Sequence, residues 1–155
     1  MSTLARGLAP ALLLAITAGA CSSSSNPNKP ASKPVLDVAV GQCMLVPEDI
    51  KPDVSKLPII SCAKAHTHEI FFIYTDSADD VYPGVDALVI IAKRECYKHF
   101  EDYVKVSPFD SSLQVTWIVP SLDGWNGSKH DKDILCVNRR NDGGQLIGTT
   151  KGSKL

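Results

Sequence analysis

The chain has almost no net charge and no cluster of basic residues. Its 16 lysines and arginines nearly balance its 17 aspartates and glutamates, so that the formal net charge is −1. Nucleic-acid phosphates are bound by surfaces on which lysine and arginine are concentrated. The sequence therefore predicts no nucleic-acid partner.

The chain also lacks the run of about 20 apolar residues that a finished transmembrane helix needs. The apolar stretch over residues 7–20 is shorter, follows Arg6 and ends in small residues. This order of a positive charge, an apolar core and small residues is typical of a secretory signal peptide. We predict a signal peptide over residues 1–20 and export of the chain from the cytoplasm.

Cys21 follows directly, between Ala18-Gly19-Ala20 and a polar segment of serine, asparagine, proline and lysine. With Cys21, these residues resemble a bacterial lipobox, whose cysteine is acylated. They also form an A-x-A site for ordinary cleavage, which would leave a free thiol. The polar segment cannot bury enough apolar surface to fold, and a tether is useful only if its end is attached. We predict a lipidated Cys21 and a flexible tether over 21–34, with membrane lipid as partner at the outer face of the cytoplasmic membrane.

The remaining four cysteines include no C-x2-C pair, the spacing that many zinc and redox sites use. Cys43, Cys62, Cys96 and Cys136 all lie in the predicted folded domain, residues 35–148. An even number of cysteines in an exported domain indicates disulfides. Three connectivities are open, and we favour Cys43–Cys62 with Cys96–Cys136 because each bridge then closes a local loop.

Hydrophobic patterning predicts an α+β fold: a mostly antiparallel sheet with one main packed helix. The strongest strand signal is His68–Thr75, where β-branched and aromatic residues indicate burial on both faces. Residues 83–105 predict a helix with one apolar stripe, on which Cys96 can face the strand that carries Cys136. Residues 34–47, 112–121 and 134–140 predict further strands, 122–133 a turn-rich loop, 145–150 a final edge strand, and 149–155 a disordered tail.

An ordered set of motifs spans about residues 38–150 and resembles the septum-formation domain family, modules of bacterial extracytoplasmic lipoproteins and membrane-anchored proteins. The set consists of Gly41 and Cys43; Cys62, His66, Glu69, Ile70 and Phe71; Tyr82 to Gly84; Cys96, Tyr97 and Phe100; Trp117 and Pro120; Trp125; and Cys136 and Gly148. This chain departs from the family pattern after Trp125, since no arginine follows until Arg139. The resemblance implies a role in division or envelope growth, without a known reaction or ligand.

His66, Glu69 and Trp125 are the candidate ligand-binding residues. His66 and His68 would point to the same face of a strand, as two metal ligands should, with Glu69 or His99 completing the set. The alternative, which we favour, is that His66 bonds polar backbone at the start of a strand, and we predict no metal. Trp125 lies in a Gly-rich loop and could stack on a sugar or peptide, whereas Trp117 lies within a strand and is expected in the core.

We predict that the protein is not an enzyme and carries no cofactor. A hydrolase using His66 and Glu69 would need an activated nucleophile, and no G-x-S-x-G elbow is present. A metal- or small-ligand-binding protein remains an alternative, as does a redox protein. The favoured function is a membrane-anchored, non-catalytic module of the cell envelope that binds an envelope protein or a cell-wall component.

Overall fold

The computed structural model describes residues 26, 28–46, 55–77 and 80–155. The predicted signal peptide and Cys21 lie outside these residues. The described part forms β1 Ala31–Pro34, β2 Cys43–Met44, β3 Lys56–Ile60, β4 His68–Thr75, α1 Val85–Val104, β5 Leu113–Ile118, α2 Leu122–Asn126 and β6 Asp133–Arg140. None of the described helices has the length and apolarity that crossing a membrane requires.

The six described strands form one sheet in the order β1-β3-β2-β4-β6-β5, and every neighbouring pair is antiparallel. β4 lies inside the sheet, as its density of β-branched and aromatic residues predicted. Ile70 and Phe71 are both buried although they point to opposite faces of the strand. With α1 packed on this sheet, the predicted α+β class is confirmed.

α1 covers one face of the sheet through its apolar stripe. Leu88, Ala92, Cys96 and Phe100 recur at steps of four and are fully buried. Val85, which the pattern also placed on the stripe, is about half exposed, because it is the first residue of the helix. The helix ends where Lys105 adopts a left-handed conformation with φ 70° and donates its backbone N–H to Glu101.

The two faces of the sheet carry separate apolar clusters. Phe71, Phe100 and Leu113 pack beneath α1 together with the Cys96–Cys136 bridge. On the opposite face, Ile70 and Leu135 belong to a second cluster, which Val35 and Val38 cover. The segment that follows β1 therefore takes the place that a second helix layer would have in a three-layer fold.

The two disulfides are Cys43–Cys62 and Cys96–Cys136, as predicted, each with a Cα–Cα distance of 5.2 Å. The first joins β2 to a residue just beyond β3. The second joins the middle of α1 to β6 and is buried completely. This second bridge fixes the main helix onto the sheet.

Three predicted boundaries are wrong in the described part. Ala31–Pro34, the last four residues assigned to the tether, pair with β3 at the sheet edge. Residues 149–155 are not a disordered tail, since Gly152 and Lys154 donate backbone N–H groups to the last residues of α1 and Ser111 bonds Leu155. The loop at 122–133 contains α2, whose first turn is capped by Ser121.

The edge strand predicted at residues 145–150 is reduced to one bridge. Leu146 exchanges two backbone hydrogen bonds with His66, at 3.0 and 2.8 Å, and its neighbours form no strand. Gly148 then donates to the Cys62 carbonyl at 2.7 Å. The C-terminal segment is thus held across the start of β4.

Candidate functional site

Sequence reasoning placed His66 and Glu69 together, and the structure brings both to one buried polar cluster. Glu69 is the second residue of β4, and His66 stands two residues before that strand. Both side chains are 0% exposed. Because a buried polar group is costly unless it is hydrogen-bonded, the partners of each side chain decide what the cluster can do.

Glu69 is held by three hydrogen bonds from two distant parts of the chain. Its Oε1 accepts from the Tyr103 hydroxyl at 2.6 Å and from the Thr149 hydroxyl at 2.5 Å. Its Oε2 accepts the backbone N–H of Thr150 at 2.6 Å. Burial raises the pKa of the Tyr103 phenol, and its bond to Glu69 raises it further. The Glu69 carboxyl group therefore ties α1 and the C-terminal segment to β4.

Thr150 extends this cluster to β6. Its hydroxyl accepts from the Asn138 amide at 2.9 Å, and Asn138 stands opposite Glu69 in the sheet. The Asn138 Oδ1 atom is buried without a partner among the described residues. The cluster thus combines well-satisfied groups with a polar atom that lacks a partner.

His66 has one bonded and one unbonded ring nitrogen. Nδ1 lies 2.8 Å from the Lys64 carbonyl, which fixes it as the N–H donor. Nε2 then carries the lone pair, and it is buried with no partner among the described residues. A ring nitrogen of His66, the Cys43 Sγ and a Glu69 oxygen all lie within 4.8 Å of one another.

The other two histidines of the alternative metal site, His68 and His99, lie elsewhere. His68 Nδ1 contacts the Thr67 hydroxyl at 2.9 Å, and its pKa is lowered to about 4, first by burial and then by the charges of Arg139 and His66. His99 stacks on Phe72 with ring centroids 3.8 Å apart. A two-histidine site is therefore not assembled in the described residues.

The cluster offers little to a hydrolase. His66 and Glu69 are closed off from solvent, and a general base must come within hydrogen-bond reach of the proton that it removes. The hydroxyl groups of Tyr103 and Thr149 donate to Glu69, and that of Thr150 accepts from Asn138, so that each of the three is engaged with a partner other than His66. The contact between Nδ1 and Lys64 agrees with the favoured prediction that His66 bonds polar backbone at the start of the strand.

Trp125 is a core residue, which corrects its prediction as a stacking surface. It is 1% exposed and packs with Leu88, Ala92 and Ile134. Its indole N–H donates to the Asp80 carbonyl at 3.0 Å, so that its polar edge is also used. The Gly-rich composition around Trp125 suggested an exposed loop, but α2 turns the side chain inward. Trp117, expected in the core, is half-buried.

Sequence reasoning missed a cleft of about 540 Å³ at the opposite end of β4. Asp133 at this end pairs with Thr75, whereas Glu69 pairs with Asn138. One wall is formed by Pro34 and the turn after β1, and the other by the residues around α2. A volume between about 300 and 1,000 Å³ is usual for small-ligand sites.

The cleft is lined by both apolar and charged residues. Its lining comprises the apolar residues Pro34, Val35, Leu36, Ile118, Val119, Pro120 and Leu135, the polar or charged residues Ser55, Ser121, Ser128, Lys129, Asp123, Asp131 and Asp133, and Gly124 and Gly127. Three carboxyl groups against one ammonium give this surface a net negative charge.

Asp131 is the most buried carboxyl group of the cleft, at 8% exposed. Its Oδ1 accepts the backbone N–H of Asp133 at 3.1 Å, and burial raises its pKa. Asp133 in turn accepts from the Thr75 hydroxyl at 2.6 Å. A carboxyl group with a raised pKa in a cleft is a recognised mark of a functional site.

A signal for the cleft does exist in the sequence, but it is weak. Ser121 and Asp123 read as the start of a short helix, and Asp131, eight residues after Asp123, flanks Lys132 together with Asp133. The sequence gives no indication of the opposite wall of the cleft. Residues 34–36 reach the cleft only through the pairing of β1 with β3.

Comparisons of the chain with protein-family models, with curated proteins and with solved structures found no match.

Proposed function

We propose that this protein is a lipid-tethered, non-catalytic binding module on the outer face of the cytoplasmic membrane. Its ligand is a peptide segment of the envelope that carries an ammonium group beside an apolar side chain. Division or envelope growth is the process that the resemblance to the septum-formation family implies. The observation that carries the proposal is the cleft with its apolar and acidic lining.

The lining of the cleft favours a ligand with two parts. Leu135 and Ile118 offer apolar surface, whose burial stabilises a complex by roughly 25 cal/mol per Å². Asp131 offers a carboxylate of low exposure, where a charge-assisted hydrogen bond is stronger than in water. An ammonium group next to an aliphatic chain matches both surfaces at once.

The position of the cleft supports a ligand near the membrane. Its wall at Pro34–Leu36 lies 13 to 15 residues beyond Cys21, the predicted site of acylation. A chain of 15 residues spans at most about 50 Å when fully extended. Both disulfides suit an oxidising compartment outside the cytoplasm. These features together favour a sensor or adaptor held close to the bilayer over a diffusing protein.

A titration with a defined probe tests the proposal. Acetyl-Leu-Lys-amide is added to the purified chain, and backbone amide shifts are followed by nuclear magnetic resonance. We expect saturable shifts confined to the cleft, including Ser128 and Val119, and weaker binding of acetyl-Leu-Glu-amide. Asp131→Asn should weaken binding of the lysine peptide by about tenfold or more, since a hydrogen bond to a charged group contributes about 1.5–3 kcal/mol.

Asp110→Asn is the matched control, because Asp110 is exposed and does not line the cleft. It should leave the affinity for the lysine peptide unchanged. The cleft would not recognise the charge of the ligand if both peptides bound with equal affinity. The same would follow if Asp131→Asn and Asp110→Asn lost equal affinity for the lysine peptide. Shifts spread evenly over the surface would remove the cleft itself.

A further inference from the structure

The buried cluster at the start of β4 has the chemistry of a metal site that one covalent bond keeps closed. Cys43 Sγ, a Glu69 oxygen and a His66 ring nitrogen lie within 4.8 Å of one another. All three residues are 0% exposed. Cys43 is bonded to Cys62, so that its sulfur is occupied and a second sulfur lies beside it.

His66 is already arranged as metal-binding histidines are. Such a histidine usually donates its other ring N–H to a backbone carbonyl or a carboxylate, which fixes the ring and leaves the remaining nitrogen free to coordinate. Here Nδ1 bonds the Lys64 carbonyl, and Nε2 is buried without a partner among the described residues. A lone pair left unused at such depth costs free energy, which a bound cation would recover.

Glu69 retains capacity for one more partner. Two carboxylate oxygens offer about four acceptor positions, and the bonds from Tyr103, Thr149 and Thr150 use three of them. A metal ion can therefore bind Glu69 without displacing the C-terminal segment.

The two disulfides differ in their access to a reductant. Cys96 and Cys136 are both 0% exposed. Cys62 is only partly buried, so that the Cys43–Cys62 bridge is the less enclosed of the two. Since thiol–disulfide exchange requires access to a sulfur, the Cys43–Cys62 bridge is the one expected to open first.

We propose that reduction of the Cys43–Cys62 disulfide converts this cluster into a Zn²⁺ site with Cys43, Cys62, His66 and Glu69 as ligands. A dithiol reductant supplies two electrons and two protons: the S–S bond breaks, two cysteine thiols form, and the reductant becomes a disulfide. Zn²⁺ then displaces both thiol protons. Two sulfurs, one imidazole and one carboxylate make a tetrahedral set that zinc accepts.

The distances are compatible with this change. Zinc binds sulfur at about 2.3 Å and nitrogen or oxygen at about 2.0–2.2 Å, so tetrahedral ligand atoms are roughly 3.3–3.8 Å apart. From the upper limit of 4.8 Å, the ligand atoms of Cys43, His66 and Glu69 must approach one another by about 1–1.5 Å, and the Cys62 sulfur must join them. The broken bridge meanwhile lets its two sulfurs separate. The site is distinct from the cleft, which lies at the other end of β4, and does not depend on the function proposed for the cleft.

Metal content under two redox conditions tests the proposal. The full purified chain is incubated with Zn²⁺, with or without a phosphine reductant, which is chosen because free thiols would themselves bind zinc. After removal of unbound metal, we expect about one zinc per reduced chain and none on the oxidised chain. Replacement by Co²⁺ should give the absorption of a tetrahedral site with cobalt–thiolate bonds.

Variants separate this site from other thiols and histidines. His66→Gln should lower the Zn²⁺ affinity of the reduced chain by on the order of tenfold or more, as expected when a ligand is removed. His99→Gln is the matched control and should retain it. X-ray absorption of the zinc-loaded wild type does not depend on variant folding, and should show two sulfur and two nitrogen or oxygen neighbours.

Three results would overturn the proposal. The first is a reduced chain that holds no zinc while circular dichroism shows it to be folded. The second is zinc bound equally by the oxidised chain. The third is a coordination shell of four sulfurs or of none, which would place the metal on other ligands.

Discussion

His68 is the first residue of β4, where burial opposes protonation of its imidazole. Its pKa is lowered to about 4 from the model-peptide value of 6.5, mainly through loss of solvation and also through Arg139 and His66. In the unfolded chain the histidine binds a proton near its ordinary pKa. Between pH 6.5 and pH 4, the unfolded state therefore holds more protons than the folded state.

This difference predicts that acid destabilises the protein within that window. The contribution of His68 is fully present above about pH 6.5 and falls as the pH is lowered towards 4, with a total of about 3 kcal/mol. Urea unfolding followed by tryptophan fluorescence at several pH values measures it. His68→Gln should make the free energy of unfolding less dependent on pH above pH 5.

His99→Gln serves as the control for this measurement, since it removes a histidine that stacks on Phe72 and leaves His68 in place. The free energies of unfolding are compared only above pH 5. At lower pH the protonation of Asp131, whose pKa is raised by burial, changes the free energy of unfolding in the opposite direction. The same pH dependence in wild type and His68→Gln would show that His68 is not the group responsible.

Single residues also show why part of the site was beyond sequence reasoning. A glutamate within an apolar strand signals that a buried charge needs partners, and this much could be read at Glu69. The identity of these partners could not be read from the sequence, because Thr149 and Thr150 lie about 80 positions further along the chain. Nothing in their local sequence indicates burial.

Among the elements, those with a repeating pattern were predicted and those that depend on distant partners were not. β4 is a dense run of β-branched and aromatic residues over eight positions, and α1 repeats apolar residues over 20 positions, so that both patterns are distinct. β1 has the sequence ASKP and shows no pattern; it is a strand only because β3 bonds to it. Trp125 was placed in a loop because α2 is only five residues long and Trp125 stands between Gly124 and Gly127.

The C-terminal segment is the element whose role changed most between sequence and structure. Thr150 is 1% exposed, and the backbone of residues 152 and 154 is bonded to the end of α1. Truncation after Gly148 would remove two of the three hydrogen bonds to Glu69 and leave a buried carboxyl group partly unsatisfied. We expect a loss of about 2–4 kcal/mol in the free energy of unfolding, measured with urea.

Truncation after Gly152 is the matched control. It keeps Thr149, Thr150 and the bond from Gly152 to Tyr103, and it removes only the contacts of the last three residues. Its loss should be smaller, about 1 kcal/mol, because the bond from Ser111 to Leu155 is exposed and only the backbone bonds that Ser153 and Lys154 donate involve buried residues. If both truncations cost the same, Glu69 does not depend on the segment for its stability.

For the whole molecule, the arrangement separates a closed end from an open one. The start of β4 is sealed by the C-terminal segment, with the Cys43–Cys62 bridge beside it. The other end opens into the cleft. Glu69 and Thr75 are six positions apart in the extended strand, a separation of about 20 Å. Changes at the cleft such as Asp131→Asn should therefore leave the buried cluster intact.

The two bridges contribute unequally to the stability of this arrangement. Loss of Cys43–Cys62 releases a loop of 19 residues, and loss of Cys96–Cys136 one of 40, which correspond to about 3 and 4 kcal/mol on the chain-entropy estimate. Cys96 and Cys136 also pack against Phe71 and Phe100 in the core, so their removal leaves a cavity as well. We expect Cys96→Ala with Cys136→Ala to cost about 1–3 kcal/mol more than Cys43→Ala with Cys62→Ala.

Urea unfolding of the two double variants measures this difference, with Cys21→Ser as a control that leaves both bridges in place. The result also bears on the proposed zinc site, which requires a chain that stays folded once Cys43 and Cys62 are separated. A typical domain is stable by about 5–15 kcal/mol, so a loss near 3 kcal/mol still leaves most chains folded. If the Cys43–Cys62 pair proves the costlier one, the bridge acts as the main clamp of the fold rather than as a bond that can open.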